Sequence, residues 1–184
     1  MIELLNIDLF NSVQVFSTIK YISMESVLNN VVDGRWHLDG LDDYFNLSKL
    51  EIETLVIGLM RKLPMLTIDV VDYNFNGERK VDVLNHNLDI TALILYVNNY
   101  YQEEIKSLRE LLNELKMGGF KSSDNLYSIR TGERIIDLTF NALDDKTKKF
   151  FYSIEIPVQI ISLSIKNEDN LSKIKEFIKT KRIK

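Results

Sequence analysis

The dipeptide Asn76-Gly77 constrains this chain more than any other short stretch. Both residues tolerate positive φ, so the pair reads as the two-residue turn of a β-hairpin. Leu66-Thr67-Ile68-Asp69-Val70-Val71 before it reads as one strand, and Lys80-Val81-Asp82-Val83-Leu84 after it as the partner. Asn85-His86-Asn87-Leu88-Asp89 then leads into a helical pattern that opens at Ile90. A loop that joins a strand end to a helix start presents free backbone N–H groups, so it is the first place to look for a ligand site.

The remaining elements follow from capping and periodicity. Ile2 to Phe10 reads as either a strand or an amphipathic arm. Ser23-Met24-Glu25-Ser26 opens a short helix to about Val32, stopped by Asp33-Gly34. Trp36 to Asn46 is polar and irregular. Ser48 with Glu51 three residues on forms a capping box for a helix carrying Leu50, Ile52, Leu55, Val56, Leu59 and Leu63, ended by Pro64. The pattern from Ile90 predicts one long helix to about Lys116, with Leu93, Ile94, Val97, Tyr101, Ile105, Leu108, Leu111, Leu112 and Leu115 near helical spacing and Gly118-Gly119 as its stop. A second hairpin is expected around Thr131-Gly132, then a short helix from Leu143 to Tyr152, a strand from Glu155 to Ile165 and a final helix from Asn167 to Lys184. Hairpins mixed with helices give an α+β class, or α/β with a small mixed sheet.

Composition narrows the class. The chain has 184 residues, 45% of them hydrophobic and 27% charged, which predicts one globular domain spanning 1–184 with its own core. Only 2 Pro and 7 Gly leave little room for a flexible linker, and the lack of Cys excludes disulfide and thiol chemistry. Met1-Ile2-Glu3 lacks the positive charge of a secretory signal, and no apolar run approaches the ~20 residues of a membrane span, so a cytoplasmic protein is expected. The net charge of -4 argues against nucleic-acid binding by the whole surface and leaves a local basic patch open.

The order of elements resembles the ParB/sulfiredoxin-like fold, and specifically the N-terminal domain of GmrSD-type modification-dependent restriction enzymes. Leu38 to Leu47 occupies the place of that family's I-P-x-Y-Q-R-x-Y-x-W stretch. Leu55 to Met65 is similar to its L-x-x-S-L-L-x-G-x-P-I pattern, and Val83 to Leu93 to its V-I-D-G-Q-Q-R-L-T-A-L signature. Gly132 to Leu138 looks like its G-K-R-F-S-D-L, and Ile156-Pro157-Val158 like its I-P-V strand. The resemblance implies a ParB-like core: a small mixed sheet with hairpins and a long central helix.

The polar positions of that pattern are replaced. Where the family has D-G-Q-Q-R, associated with nucleotide binding and hydrolysis, this chain has Asn85, His86, Asn87, Leu88 and Asp89. The two family arginines fall on Asp89 and Asp43. A like charge about 4 Å from a phosphate opposes binding by roughly 1 to 4 kcal/mol. The resemblance thus implies the fold without the family's activity. It also places the chain with phage or other mobile elements, cytoplasmic or virion-associated, as a pseudoenzyme acting through protein–protein interaction. No HNH nuclease region follows in the sequence.

Two candidate sites remain. His37 and His86 fall in or beside the replaced loops with Asp39, Asp42, Asp43 and Asp89; if the loops meet, as in the family, Asp42, Asp43, Asn85, His86, Asn87 and Asp89 could form a cation pocket for a divalent metal. The plain alternative is a relic loop with Asp89 as N-cap of the following helix. The second candidate is the C-terminal helix, where Lys173, Lys175, Lys179, Lys181, Arg182 and Lys184 accompany an apolar face of Leu171, Ile174, Phe177 and Ile178. It fits either a nucleic-acid contact or a docked helix with solvated lysines. Tyr100-Tyr101 and the stripe Leu108, Leu111, Leu112, Leu115 read as core or as a partner surface, which a projecting end of the long helix would supply to a second copy or another protein. There is no G-x-x-x-x-G-K-S/T, G-x-G-x-x-G or H-E-x-x-H motif. The expected function is non-catalytic binding, structural or regulatory; the rivals are a divergent metal-dependent nucleotide hydrolase or nuclease, and a nucleic-acid-binding accessory protein.

Overall fold

The computed structural model describes residues 14–38, 45–63, 67–101, 104–105, 107–116, 127–131, 134–164 and 168–181. In chain order the elements are β1 (Gln14–Ser23), α1 (Met24–Val32), β2 (His37–Leu38), β3 (Phe45–Asn46), α2 (Lys49–Met60), β4 (Ile68–Phe75), β5 (Glu78–Val83) and α3 (Asn87–Val97). There follow β6 (Glu104–Ile105), α4 (Leu108–Lys116), β7 (Ser128–Thr131), β8 (Arg134–Asp137), a 3-10 turn (Phe140–Ala142), α5 (Asp145–Ser153), β9 (Glu155–Ser164) and α6 (Glu168–Lys181).

A five-stranded mixed sheet in the order β1-β9-β4-β5-β2 organises the molecule. The Asn76-Gly77 hairpin forms as its sequence demands: Asn76 and Gly77 sit at φ 51 and 83, and β4 pairs antiparallel with β5 from Val70↔Val83 to Phe75↔Glu78. β9 then lies parallel to β4 on its other side and antiparallel to β1, while the short β2 runs parallel to β5. The class is mixed α and β with a small mixed sheet, as the element order predicts.

Strand alternation sends side chains to two unequal layers. On one face Ile68, Val70, Val83, Ile156 and Val158 pack with α1, α2, α3 and α4 into the main core. On the other, Val71, Tyr73, Leu84, Ile161 and Leu163 meet α6 alone, through Leu171 and Ile174. α3 is the centre of the main layer, with every side chain from Ile90 to Tyr96 buried. Tyr96 packs edge-on against Tyr127 and Phe140, with ring centroids 5.3 and 5.5 Å apart. Its hydroxyl donates to the Leu138 carbonyl at 2.7 Å, so the second hairpin is fastened at its β8 end.

Local signals account for the helix starts. Ser23, Ser48 and Asp144 each accept from the backbone of their helix's first turn, and Ser48 and Glu51 complete the capping box. Within α2 the inward stripe is Ile52, Val56 and Leu59, while Leu50 and Leu63 are exposed. The chain leaves α2 through a left-handed Lys62, before Pro64, which lies outside the described residues.

The long helix from Ile90 to Lys116 is corrected to two. α3 ends at Val97, the chain turns through Asn98-Asn99, and α4 starts afresh at Leu108. Asn99 has φ 49, a left-handed conformation that Asn adopts more readily than most residues. It is buried, its N–H donates to Tyr96 O at 3.0 Å, and its side-chain oxygen accepts from Asn141 N at 3.1 Å. The apolar spacing runs on past the break because Leu108 and Leu111 return to the same core from a separate helix. Of the stripe that reads as core or partner surface, Leu108 and Leu111 are buried in the core and Leu112, Tyr100 and Tyr101 are partly buried; the Tyr101 hydroxyl accepts from Lys49 N at 3.1 Å, and the Tyr127 hydroxyl donates to Tyr100 O. Leu115 carries no described side-chain environment, and Gly118-Gly119 and Ile2 to Phe10 lie outside the described residues.

The break at Asn99 generates a prediction. Asn99→Ala keeps a β-carbon in the left-handed region without the short polar side chain that makes Asn tolerate it, and deletes the acceptor for Asn141 N, which should cost about 2 kcal/mol in urea unfolding. Asn99→Gly deletes the same acceptor but also removes the β-carbon, so it should be clearly less destabilised; equal losses in the two variants would mean that the left-handed turn is not what divides the helices.

Candidate functional site

The loop between β5 and α3 is built to hold itself. Asn85 accepts from Asp69 N at 2.7 Å through Oδ1, and its Nδ2 donates to Thr67 O and to Asp69 Oδ2, both at 3.1 Å. The Asn85 amide thereby fastens the start of β4 to the end of β5. His86 is the N-cap of α3 and sits at φ 56 with no capping side-chain bond. Its Nδ1 lies 2.7 Å from Asp89 Oδ2. The expected N-cap role of Asp89 is therefore corrected: Asp89 lies in the first turn of α3, where a carboxylate suits the positive end of the helix, and it engages His86 rather than the backbone. Asn87 is the first residue of the helix, and its carbonyl accepts from Thr91 Oγ1 at 2.8 Å. Asp39, Asp42 and Asp43 lie outside the described residues. Among the described residues no group of three or more His, Asp or Glu side chains is arranged to hold a metal ion, and His37 and His86 face different carboxylates.

The second histidine leads to a different place. β2 runs beside β5 with His37 level with Asp82, so His37 Nδ1 comes 3.5 Å from Asp82 Oδ1. Asp82 is 5% exposed, an unusual position for a carboxylate. Three elements serve it: Tyr73 on β4 donates its hydroxyl to Oδ2 at 2.8 Å, Lys175 on α6 brings Nζ to Oδ2 at 2.5 Å, and β2 supplies His37. The Lys175 ammonium also stands 5.4 Å from the centre of the Tyr73 ring. Burial pushes the Asp82 carboxyl upward, but the hydrogen bonds from His37, Lys175 and Tyr73 and the Lys175 charge outweigh it and hold the pKa down at about 2.

An open cleft of about 440 Å³ lies over this cluster. Its charged lining is Arg35, Arg79, Lys80 and Lys175, with His37 between them and Asp82 as the carboxylate below. The cations arrive by separate routes. Gly34, at φ 74, turns the chain out of α1, and the alternation that follows leaves Arg35 and His37 exposed while Trp36 and Leu38 go inward. Arg79 and Lys80 stand on the exposed half of β5. The four cations are not equally committed. Lys175 is 17% exposed and locked to Asp82. Arg35 and Arg79 are mostly exposed, and their pairs with Asp33 and Asp72, at 2.8 and 2.7 Å, are the surface kind that contributes little and exchanges readily.

The C-terminal helix contributes one residue to this cleft. Of the lysines the sequence singles out, Lys175 enters the ion pair, Lys173 is exposed and Lys179 is partly buried. Lys181 ends α6 with no described side-chain environment, and Arg182 and Lys184 lie outside the described residues. The apolar face is docked on the sheet through Leu171 and Ile174, the plain reading of that helix. Sequence reasoning passed over Arg35, Tyr73, Arg79, Lys80 and Asp82. No sequence signal marked Asp82: in the alternation of β5 it falls in phase with Glu78 and Lys80, opposite Val81 and Val83, the phase of a solvated position.

Asp82 makes an acid-stability prediction. Its pKa is depressed in the folded state, so the stabilisation is complete above the unfolded value near 4 and is lost as pH falls toward 2. The loss over that window should be about 2 kcal/mol. Asp82→Asn should be less stable at neutral pH, where Lys175 loses its counter-charge, and should show a shallower fall between pH 5 and 2 in urea titrations (roughly the window of the depressed carboxyl). An unchanged acid profile in the variant would remove Asp82 from its place as the buried anchor.

Among the described residues no helix is long and apolar enough to cross a membrane. Comparison with known proteins finds no matching family model, no similar curated protein and no similar solved structure, so the chemistry of the cleft is read from its own residues.

Proposed function

We propose that this chain is a non-catalytic binding protein and that its ligand is a phosphate-bearing polyanion, a nucleic acid, held in the cleft over Asp82. The observation that carries the reading is the lining: four cations from three parts of the chain and one carboxylate, which is already neutralised by Lys175. Arg35, two residues before His37, and Arg79, three before its strand partner Asp82, lie on the same side of the His37–Asp82 pair, and both can trade their surface carboxylates for phosphate oxygens, to which a guanidinium donates in matched pairs. The overall charge of -4 confines nucleic-acid contact to such a patch rather than to the whole surface.

The same reading takes the chain to be a degenerate ParB/sulfiredoxin-like domain. Support comes from the loop between β5 and α3. His86, where the family's motif carries glycine, has the left-handed φ that glycine favours. Asn85 and Asp89, at the motif's Asp and Arg positions, are engaged by the protein's own groups. The nucleotide role of that loop would then have been replaced by an anion-binding role across the sheet at β2, β5 and α6.

Fluorescence anisotropy with labelled oligonucleotides at several salt concentrations tests the proposal. Binding should weaken steeply with salt, because each phosphate neutralised releases counterions. Arg79→Gln with Lys80→Gln, both at exposed positions of β5, should weaken binding about tenfold or more and lower the salt slope by roughly 2. Salt-independent binding, or a double variant that binds like the parent, would overturn it.

A further inference from the structure

Beside the cationic cleft lies a second cavity of about 190 Å³ between α1 and α4, walled by Val31, Val32, Trp36, Leu38, Leu108 and Leu112. The two cavities share Gly34 and His37, so they are neighbours across one turn of chain. One is cationic and open; the other is apolar, with Trp36 in its wall, and edged by Arg109, which donates hydrogen bonds, and Asn113, which can donate and accept them. The ligand such a pair fits has a charged part and a flat apolar part joined by a short link.

Resting on the polyanion reading above, we infer that the two cavities together take one unit of a single-stranded nucleic acid, with its phosphate among Arg35, Arg79 and Lys80 and its unstacked base in the pocket beside Trp36. Three features favour a single strand over a duplex. The apolar cavity is sized for one ring system, and a base reaches such a pocket only when it is free of its stack and its partner. Trp36, 9% exposed, brings an aromatic side chain into the wall where a base entering the cavity would meet it, and contact between base and aromatic ring is worth enough per base to be seen in affinity and is tolerant of sequence. Arg35, Arg79, Lys80 and Lys175 line the neighbouring cavity while Arg109 alone edges this one, which matches a backbone that runs past the pocket mouth while a base turns in. His37, at the boundary of the two cavities and beside Asp82, stands where the sugar would pass.

Trp36 is the chain's single tryptophan, so its emission reports on this pocket alone. The experiment uses the full chain and three probes of equal length: a single-stranded oligothymidylate, an abasic strand carrying the same phosphates, and a duplex. Anisotropy reads binding and Trp36 emission reads occupancy of the pocket. The oligothymidylate should change the emission and bind at least about fivefold more tightly than the abasic strand, which should leave the emission unchanged, as should the duplex. Leu112→Phe, which fills the pocket, should bring the oligothymidylate down to the affinity of the abasic strand without altering the salt slope. If this variant does not fold, the comparison of strands on the parent chain decides alone. Equal affinities for the base-bearing and abasic strands, with emission unchanged, would overturn the base pocket and leave the polyanion reading standing. Binding of neither strand would overturn both.

Discussion

The buried carboxylate of Asp82 is the interaction on which this arrangement turns. A charge this far from solvent is tolerated only when its lone pairs are occupied and its charge is matched. The partners come from β4, from α6 and from β2, three elements far apart in sequence. Asp82 therefore acts as a condition on the fold. The sheet must bring Tyr73 diagonally next to it, α6 must cross at a height that delivers Lys175, and β2 must align in parallel so that His37 is level with it. A sheet with the same apolar content but another register would leave that charge buried without its partners. Buried ion pairs add little stability over apolar residues of the same shape, yet losing one partner is costly, so this one favours a single arrangement over its neighbours.

The two faces of the sheet divide the work. The main layer takes five helices, α1 to α5, and an aromatic cluster centred on Tyr96, and its job is stability. Among the described residues the other face has only α6, which covers part of the sheet and leaves the outer part of β5 exposed. The cleft exists because of that unequal cover. With α6 packed through Leu171 and Ile174, the space beyond Lys175 is lined mostly by charged side chains, with Tyr73 and Val81 among them.

What the sequence revealed follows from how far apart the cooperating residues are. The Asn76-Gly77 turn, the Ser48–Glu51 capping box and the Ser23 cap are decided within four residues, and each is found in place. The division of the long helix at Asn99 depends on Asn141, 42 residues away, which no helical period can register. β1 had only its Val15, Phe16, Thr18, Ile19, Tyr21 and Ile22 to mark it, strand-forming residues without the clean alternation of a half-buried strand, because this edge strand is exposed on both sides. The cleft was the least legible. Asp82, Lys175 and His37 each read separately as a solvated strand position, a solvated helix lysine and a loop histidine, and only the parallel pairing of β2 with β5 makes them one cluster.

The contrast between the two loops that carry histidine shows why the candidate site is not where the strand-to-helix signal pointed. At the β5–α3 loop, Asn85 and His86 make short bonds within the protein, and a ligand would have to break them to be held there. At the cleft, Lys175 and His37 are engaged by the buried Asp82. Arg35 and Arg79 hold carboxylates at the surface, where an ion pair in water is worth about 0 to 1 kcal/mol, so exchanging that partner for a phosphate costs little. Lys175 and Asp82 cancel as a buried pair, so the attraction for an anion comes from Arg35, Arg79 and Lys80, and the surface arginines add hydrogen bonds that can re-form around it. A neutral pair below and adaptable donors above leaves the cleft with positive charge in excess. The protein obtains it by giving Asp82 its own cation and leaving the others at the rim.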